Sequence, residues 1–224
     1  MQEGDLMLNN VKGAIFDMDG TLIDSMWVWI KINIDFLGKR SIDCPINIKS
    51  EIEHLSFDET AMYFKDRFNL HESIEEIVNE WNEMAYNEYK HNVKLKPGVK
   101  RYLAFLKSLG VKIGLATSNS KLLLEAALTQ TGIYDYFDTI TRTDEVTRGK
   151  QFPDVYLLTA KRLGVAPEEC IVFEDILPAV IGAKSAGMKV IGIHDTASIQ
   201  QMPDISKIAD RYIYEYSELM QNAI

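Results

Sequence analysis

The stretch Phe16-Asp17-Met18-Asp19-Gly20-Thr21-Leu22 begins at the end of the apolar run Val11 to Phe16 and places two carboxylates two residues apart. The apolar run predicts a buried strand, and the glycine-containing segment after it predicts a loop. Ligands of open α/β sheets bind outside the carboxyl ends of the strands. Two carboxylates there indicate a cation, and a cation held by oxygen ligands commonly serves phosphate chemistry. A plain turn is the alternative, since Asp and Gly favour turns, but buried unpaired carboxylates are costly.

Length and composition describe an ordinary globular chain. Its 224 residues suffice for one large or two modest domains, and 46% of them are hydrophobic. A formal net charge of -9 and the lack of a basic cluster argue against a nucleic-acid partner. Cys44 and Cys170 are too few for a disulfide framework, and Cys170 is predicted to be a buried thiol.

Membrane and secretory segments are not predicted. Residues 1–10 lack the basic and apolar regions of a secretory signal. The longest apolar stretch, Met26 to Leu37, is interrupted by polar residues and is too short to cross a bilayer. We therefore expect a cytoplasmic protein without a membrane partner, and a monomer is compatible with the composition.

Further apolar runs predict the other strands of a parallel sheet. Continuous apolar runs, rather than alternation, are typical of strands covered by helices on both faces. The runs are Lys112 to Ala116, Cys170 to Phe173 and Lys189 to Ile193, with a weaker strand at Phe137 to Thr141. Helical stripes separate them, at residues 99–109, 123–130 and 155–163, the last with Pro153 as its first-turn residue. This alternation predicts an α/β fold with a doubly wound, Rossmann-like parallel sheet.

The segment after the first strand, residues 24–94, contains no convincing strand and predicts an all-helical insertion. One helix begins at Met26, residues 61–68 form another with Ser56 or Asp58 as its cap, and residues 74–89 keep helical spacing for more than four turns. We predict a core domain of residues 1–23 and 95–224 and a helical cap domain of residues 24–94, able to act as a lid. A single domain with a helical excursion is the alternative.

Polar groups follow several of the later strands. Thr117-Ser118-Asn119 ends one strand and opens the next helix, where hydroxyls and backbone N–H groups suit an anionic oxygen. An ordinary helix cap is the competing interpretation of these three residues. Lys150 precedes a helix, and Glu174-Asp175 is a second acidic pair at a strand end. Together these groups predict a site for Mg2+ and phosphate.

The order of these residues resembles the four motifs of the haloacid dehalogenase (HAD) superfamily. The motifs correspond to Asp17-Met18-Asp19-Gly20-Thr21, Thr117 or Ser118, Lys150, and Glu174-Asp175. The stretch Ala183 to Val190 is also similar to the segment after the fourth motif in its β-phosphoglucomutase-like phosphatases. The resemblance covers essentially the whole chain and includes a helical cap.

The resemblance implies a phosphatase mechanism with two steps. Asp17 would attack phosphorus and form an aspartyl-phosphate. Asp19 would protonate the leaving alcohol and then take a proton from the water that hydrolyses the intermediate. The substrate would be a small phosphorylated metabolite, such as a sugar phosphate.

The resemblance also implies a metal and a phosphate site. Mg2+ would be held by Asp17, the backbone carbonyl of Asp19 and Asp175, with Glu174 as a further ligand or a neighbour of the ligands. The ion would reduce the like-charge repulsion between the attacking carboxylate and the phosphate. Thr117, Ser118 and Lys150 would bind the phosphoryl oxygens, as phosphoryl transfer needs mainly positioning and charge stabilisation.

Two departures from the family pattern favour hydrolysis over a mutase reaction. Trp29 stands where the mutases carry a His in the first cap helix, and Phe57 stands where they carry an Arg. Neither side chain can transfer a proton or supply a cation to a bisphosphate intermediate. A β-phosphoglucomutase-type mutase and a catalytically silent binding or regulatory protein of the same fold are the alternatives.

Overall fold

The computed structural model describes residues 7–52, 55 and 57–220. Residues Met26–Asn92 form one compact unit, and the described residues on either side of this segment form another. The helices of the two units together, within the described residues, are α1 (Met26–Gly38), α2 (Ile48–Ile52), α3 (Phe57–Arg67), α4 (Ile74–His91), α5 (Val99–Ser108), α6 (Lys121–Gln130), α7 (Asp154–Leu163), α8 (Leu177–Ser185) and α9 (Met202–Ile208). The strands of the described chain are β1 (Gly13–Phe16), β2 (Ile23–Asp24), β3 (Lys94–Leu95), β4 (Lys112–Thr117), β5 (Thr139–Arg142), β6 (Cys170–Glu174), β7 (Lys189–Ile193) and β8 (Arg211–Ile213).

The larger unit is built on a parallel sheet. Within the described residues this sheet has six strands in the order β5-β4-β1-β6-β7-β8. The chain runs outward from β1 to β5 on one side and then outward from β6 to β8 on the other. The order therefore reverses next to β1, which is where a doubly wound sheet opens a crevice for ligands. The prediction of an α/β, Rossmann-like fold is confirmed.

The central strands are buried because their side chains are apolar on both faces. Every residue of β1 and β6 is buried, and Phe16 stacks on Phe173 with ring centroids 4.3 Å apart. Cys170 is a buried free thiol, as predicted. These contacts bring the carboxyl ends of β1 and β6 side by side.

Some element boundaries differ from the sequence prediction. β5 begins at Thr139 rather than Phe137, because Tyr134–Tyr136 form a 3₁₀ turn that ends at Phe137. Pro153 precedes α7 as its N-cap instead of lying in its first turn. The edge strand β8 and the antiparallel pair of β2 with β3 were not predicted from the sequence.

The smaller unit is helical within its described residues and packs around aromatic side chains. Trp81 of α4 contacts Phe36 of α1 and Phe64 of α3, with ring centroids 5.4 and 5.0 Å apart. Ser73 caps α4 through a capping box with Glu76, a signal that the sequence analysis overlooked. Asp58 lies inside the first turn of α3 and is not its cap, and Ser56 lies outside the described residues. Across the described residues, no helix is both long enough and apolar enough to cross a membrane.

Candidate active site

Three buried carboxylates meet where β1 and β6 end. Asp17 follows β1, Glu174 is the last residue of β6 and Asp175 comes next. The Asp17 N–H donates to the carbonyl of Phe173 at 3.0 Å, which ties the two strand ends together. One carboxylate oxygen from each of the three residues lies within 4.8 Å of the others. Since Asp17, Glu174 and Asp175 are 6%, 0% and 3% exposed, this is an interior cluster and not a solvated acidic surface.

Lys150 supplies a positive charge to this cluster. Its ammonium group donates to Oδ1 of Asp17 and, at 2.6 Å, to Oε1 of Glu174. The backbone of Lys150 packs closely against α8 at Gly182. A Cβ at this position would lie 1.9 Å from the Lys150 carbonyl oxygen, so the close approach requires glycine. A lysine that looks isolated in the sequence is thus fixed beside two acids of distant segments.

Tyr156 is a member of the site that the sequence analysis missed. It lies on α7, is fully buried, and donates from its hydroxyl to Oε1 of Glu174 at 2.9 Å. Glu174 Oε1 therefore accepts from both Lys150 and Tyr156. Oε2 accepts a long bond, 3.3 Å, from the backbone N–H of Asp175.

The Gly20-Thr21 turn packs directly on Asp175. The Thr21 hydroxyl donates to Oδ1 of Asp175 at 3.1 Å. Gly20 has a φ of +82°, which glycine adopts readily. A Cβ at Gly20 would lie 2.3 Å from Oδ2 of Asp175, so the close approach of loop and carboxylate depends on glycine.

Asp19 points to a separate set of partners. Ser25 Oγ donates to its Oδ1 at 2.6 Å, and Asn119 Nδ2 donates to its Oδ2 at 2.9 Å. Asn119 is itself held by its backbone N–H, which donates to the Thr117 hydroxyl at 3.0 Å. Thr117 is buried at the end of β4, whereas Ser118 is exposed. The structure thus brings Asp19 and the Thr117 segment together but turns Ser118 toward solvent.

Burial and crowding shift the protonation equilibria of this cluster. Burial raises the pKa of Glu174 to about 7, against the opposing effect of Lys150. Burial and the charges of Asp17 and Glu174 raise the pKa of Asp175 well above its ordinary value. Burial by itself would lower the pKa of Lys150, but Asp17 and Glu174 outweigh it and raise that pKa. Lys150 therefore stays an ammonium ion, but its single positive charge does not compensate the negative charge of the carboxylate cluster.

Comparison with known proteins assigns the chain to a family. Residues 14–193, which include all the site residues just described, match the family model described as haloacid dehalogenase-like hydrolase. The chain belongs to the haloacid dehalogenase-like hydrolases. The resemblance inferred from the four motifs is confirmed.

Relatives within the family include named phosphatases. The chain is 32% identical to hexitol phosphatase B of Escherichia coli K12 over 81% of this chain and 82% of that protein. It is 33% identical to a phosphorylated carbohydrates phosphatase of Thermotoga maritima over 81% of this chain and 84% of that protein. A β-phosphoglucomutase of Clostridium difficile has a similar structure, with a TM-score of 0.71 and 23% identity over 95% of each chain. At that identity the last likeness shows the fold alone.

The donor set suits the metal that haloacid dehalogenase-like hydrolases with phosphatase activity generally use. Asp17, Glu174 and Asp175 offer hard carboxylate oxygens, the ligand type that Mg2+ prefers. Among the described residues, Lys150 is the one ammonium group in direct contact with this cluster, at Asp17 and Glu174, so the three carboxylates outnumber the positive charges beside them. A divalent cation would remove this excess and with it much of the cost of burying these carboxylates.

Proposed function

We propose that the protein is a Mg2+-dependent phosphatase that hydrolyses a small phosphomonoester through a phosphorylated Asp17. The observation that carries the proposal is the buried group of Asp17, Glu174 and Asp175 with Lys150 at the strand ends of β1 and β6. Its phosphatase relatives support the same reaction class. In this proposal Met26–Asn92 is the cap domain.

Asp17 is the proposed nucleophile. It follows β1, beside the reversal of strand order, and Lys150 donates to one of its oxygens. Covalent catalysis of this kind replaces one difficult displacement by two easier ones. The Lys150 ammonium group would also stabilise negative charge on the transferring phosphoryl oxygens, as would the buried Thr117 hydroxyl and, after a side-chain rotation, that of Ser118.

Asp19 is the proposed general acid and base. Its two oxygens are fixed by Ser25 and Asn119, which orients the carboxyl group. The Ser25 hydroxyl can donate to the ionised carboxylate or accept from the protonated acid, so it serves both protonation states. This arrangement suits a group that gives a proton to the leaving alcohol and takes one from water.

Mg2+ would be held by carboxylate oxygens of Asp17 and Asp175, by the Asp19 carbonyl and by Oε2 of Glu174. When bound, the ion supplies positive charge that lets a carboxylate approach a phosphate dianion. Lys150 and Tyr156 occupy the other Glu174 oxygen, which fixes the orientation of this carboxylate toward the cluster.

The helical unit favours hydrolysis over a mutase reaction. Trp29 and Phe57 contact each other edge to face, with centroids 5.6 Å apart, and Phe57 is 37% exposed. Two packed aromatic rings at these positions provide neither a proton-transfer group nor a cation. Such a surface cannot steady a bisphosphate while it turns round, and the phosphorylated enzyme would react with water instead.

The test is a substrate panel followed by phosphorus NMR. Sugar phosphates, nucleotides and small phosphorylated alcohols are assayed for released phosphate with Mg2+ and with EDTA, and we expect release only with Mg2+. β-Glucose 1-phosphate is then followed with and without glucose 1,6-bisphosphate. Conversion to glucose 6-phosphate faster than phosphate release would contradict the phosphatase proposal and favour the mutase. A panel without any turnover would favour a silent binding protein.

A further inference from the structure

A largely buried cation of the core unit, Lys96, lies outside the four motifs and forms an ion pair with Asp195. Lys96 Nζ lies 2.8 Å from Oδ2 of Asp195 and donates to the backbone carbonyl of His194 at 2.6 Å. The two side chains are only 11% and 5% exposed. Burying both charges has a desolvation cost that their attraction offsets only in part, so a buried pair is weak evidence for stability alone.

Both partners belong to segments that lead to Asp175. The Lys96 N–H donates to the carbonyl of Leu22 at 2.9 Å, and the neighbouring Thr21 donates its hydroxyl to Asp175. Asp195 follows β7, which pairs with β6 in the register Glu174 opposite Gly192. The ion pair therefore joins the turn that contacts Asp175 to the strand end beside it.

The pair also lies within electrostatic reach of Asp175. Lys96 is bonded to Leu22, whose neighbour Thr21 contacts Asp175, and Asp195 lies three residues after Gly192, which pairs with Glu174. Because Lys96 and Asp195 carry opposite unit charges in direct contact, the two charges balance each other at Asp175. Removing one of them leaves the charge of the other beside the carboxylates.

We propose that Lys96 and Asp195 are positioning residues that place one positive and one negative charge beside Asp175, and that the balance of these two charges sets the affinity for the metal there. The inference rests on the proposed Mg2+ site for its meaning. A purely mechanical tie between two segments is the competing explanation, and the two differ in the direction of their effects.

The single variants should move Mg2+ binding in opposite directions. Lys96→Met leaves Asp195 unbalanced and should lower the Mg2+ concentration for half-saturation, whereas Asp195→Asn leaves Lys96 unbalanced and should raise it. Each change should be about three- to tenfold, as expected for a unit charge acting on a divalent ion through a screened medium. The double variant should return close to the wild-type value. A mechanical tie would instead weaken Mg2+ binding in both single variants, with no recovery in the double variant.

The measurement is the rise of Tm with added MgCl2 in the absence of substrate, fitted for half-saturation, alongside the Mg2+ dependence of phosphate release. Lys96→Gln, which retains a donor for the His194 carbonyl, is measured in parallel should Lys96→Met fold poorly. The exposed pair of Lys207 and Asp204 gives charge-matched controls, Lys207→Met and Asp204→Asn, which should change nothing. Opposite shifts with recovery support the inference. If both single variants shift the Mg2+ concentration for half-saturation in the same direction, or by no more than the controls do, the inference is overturned. The proposed function still stands in that case, provided that Mg2+ raises the Tm of the wild type. A wild-type Tm that does not respond to Mg2+ overturns both.

Discussion

Tyr156 and Lys150 donate to the same oxygen of Glu174, Tyr156 at 2.9 Å and Lys150 at 2.6 Å. This oxygen, Oε1, is occupied by two donors and is not available as a metal ligand. The orientation of the Glu174 carboxylate therefore depends partly on Tyr156, a residue of α7 outside the motifs. Removal of the Tyr156 hydroxyl would leave Lys150 free to move toward Glu174 and away from Asp17.

Tyr156→Phe tests this relationship because it deletes only the hydroxyl. We expect kcat to fall about 10- to 100-fold, with KM little changed, since a lost hydrogen bond to a charged group costs roughly 1.5–3 kcal/mol. Tyr102→Phe is the matched control, because the Tyr102 hydroxyl is buried and has no hydrogen-bond partner among the described residues. Equal kcat values for Tyr156→Phe and wild type would show that Glu174 needs no such support.

Gly20→Ala should disable the site with a modest loss of stability. The new Cβ would displace the Asp175 carboxylate, so we expect a steep rise in the Mg2+ requirement and loss of most activity. Gly187→Ala is the control, because its φ of +78° carries a similar backbone penalty of about 1 kcal/mol, while no described residue other than its chain neighbours has an atom within 4 Å of the new Cβ. Chemical denaturation and phosphate release are measured for both variants. Similar activity in the two would contradict the role of the close approach.

Asn119→Ala should impair the acid and base role of Asp19 without removing the carboxylate. We expect a larger loss of kcat for alkyl phosphates than for aryl phosphates, since aryl leaving groups need little protonation. Asp19→Asn should show the same selectivity with a loss of about 10²–10⁴-fold for alkyl substrates, the usual contribution of proton transfer. Asn9→Ala, at an exposed asparagine before the amino end of β1, serves as the control. Losses independent of the leaving group would assign Asn119 another role.

The pair of Glu145 and Arg162, away from the site, predicts a pH-dependent stability difference. The hydrogen bonds from Arg162 and from the Arg142 N–H lower the pKa of Glu145 to about 2. A carboxyl group with a lowered folded-state pKa stabilises the fold above its ordinary pKa, and this stability is lost as the pH falls toward the lowered value. Glu145→Gln should therefore reduce the free energy of unfolding at neutral pH by about 1 kcal/mol, discounted for partial exposure. The difference between Glu145→Gln and wild type should shrink on acidification in urea titrations. A difference that is constant with pH would refute the ion-pair origin.

The parts of the structure that the sequence predicted are those encoded locally. β1 and β6 are continuous apolar runs followed directly by acids, so both the strands and the position of Asp17 and Asp175 can be read from neighbouring residues. Family motifs in the correct order then add Lys150, whose isolated position in the sequence carries little information of its own.

The parts that the sequence did not predict depend on packing between distant segments. Tyr156 occupies an ordinary helical position, and its contact with Glu174 exists only because α7 packs on the sheet. The bond between Asn119 and Asp19 spans β1 and β4, and that between Lys96 and Asp195 spans two loops. No local pattern distinguishes these residues from solvated polar ones.

The central claim is that the phosphoryl group is transferred to Asp17, and the most direct measurement is to trap it there. Asp19→Asn is mixed with an aryl phosphate and Mg2+, because it should retain phosphorylation by a good leaving group and lose hydrolysis of the intermediate. After acid quenching, peptide mass spectrometry should find one added phosphoryl group on Asp17, removable by hydroxylamine, and none in Asp17→Asn. Turnover of the aryl phosphate by wild type with no phosphoryl group on Asp17 in the quenched variant, or with the group on another residue, would contradict the account.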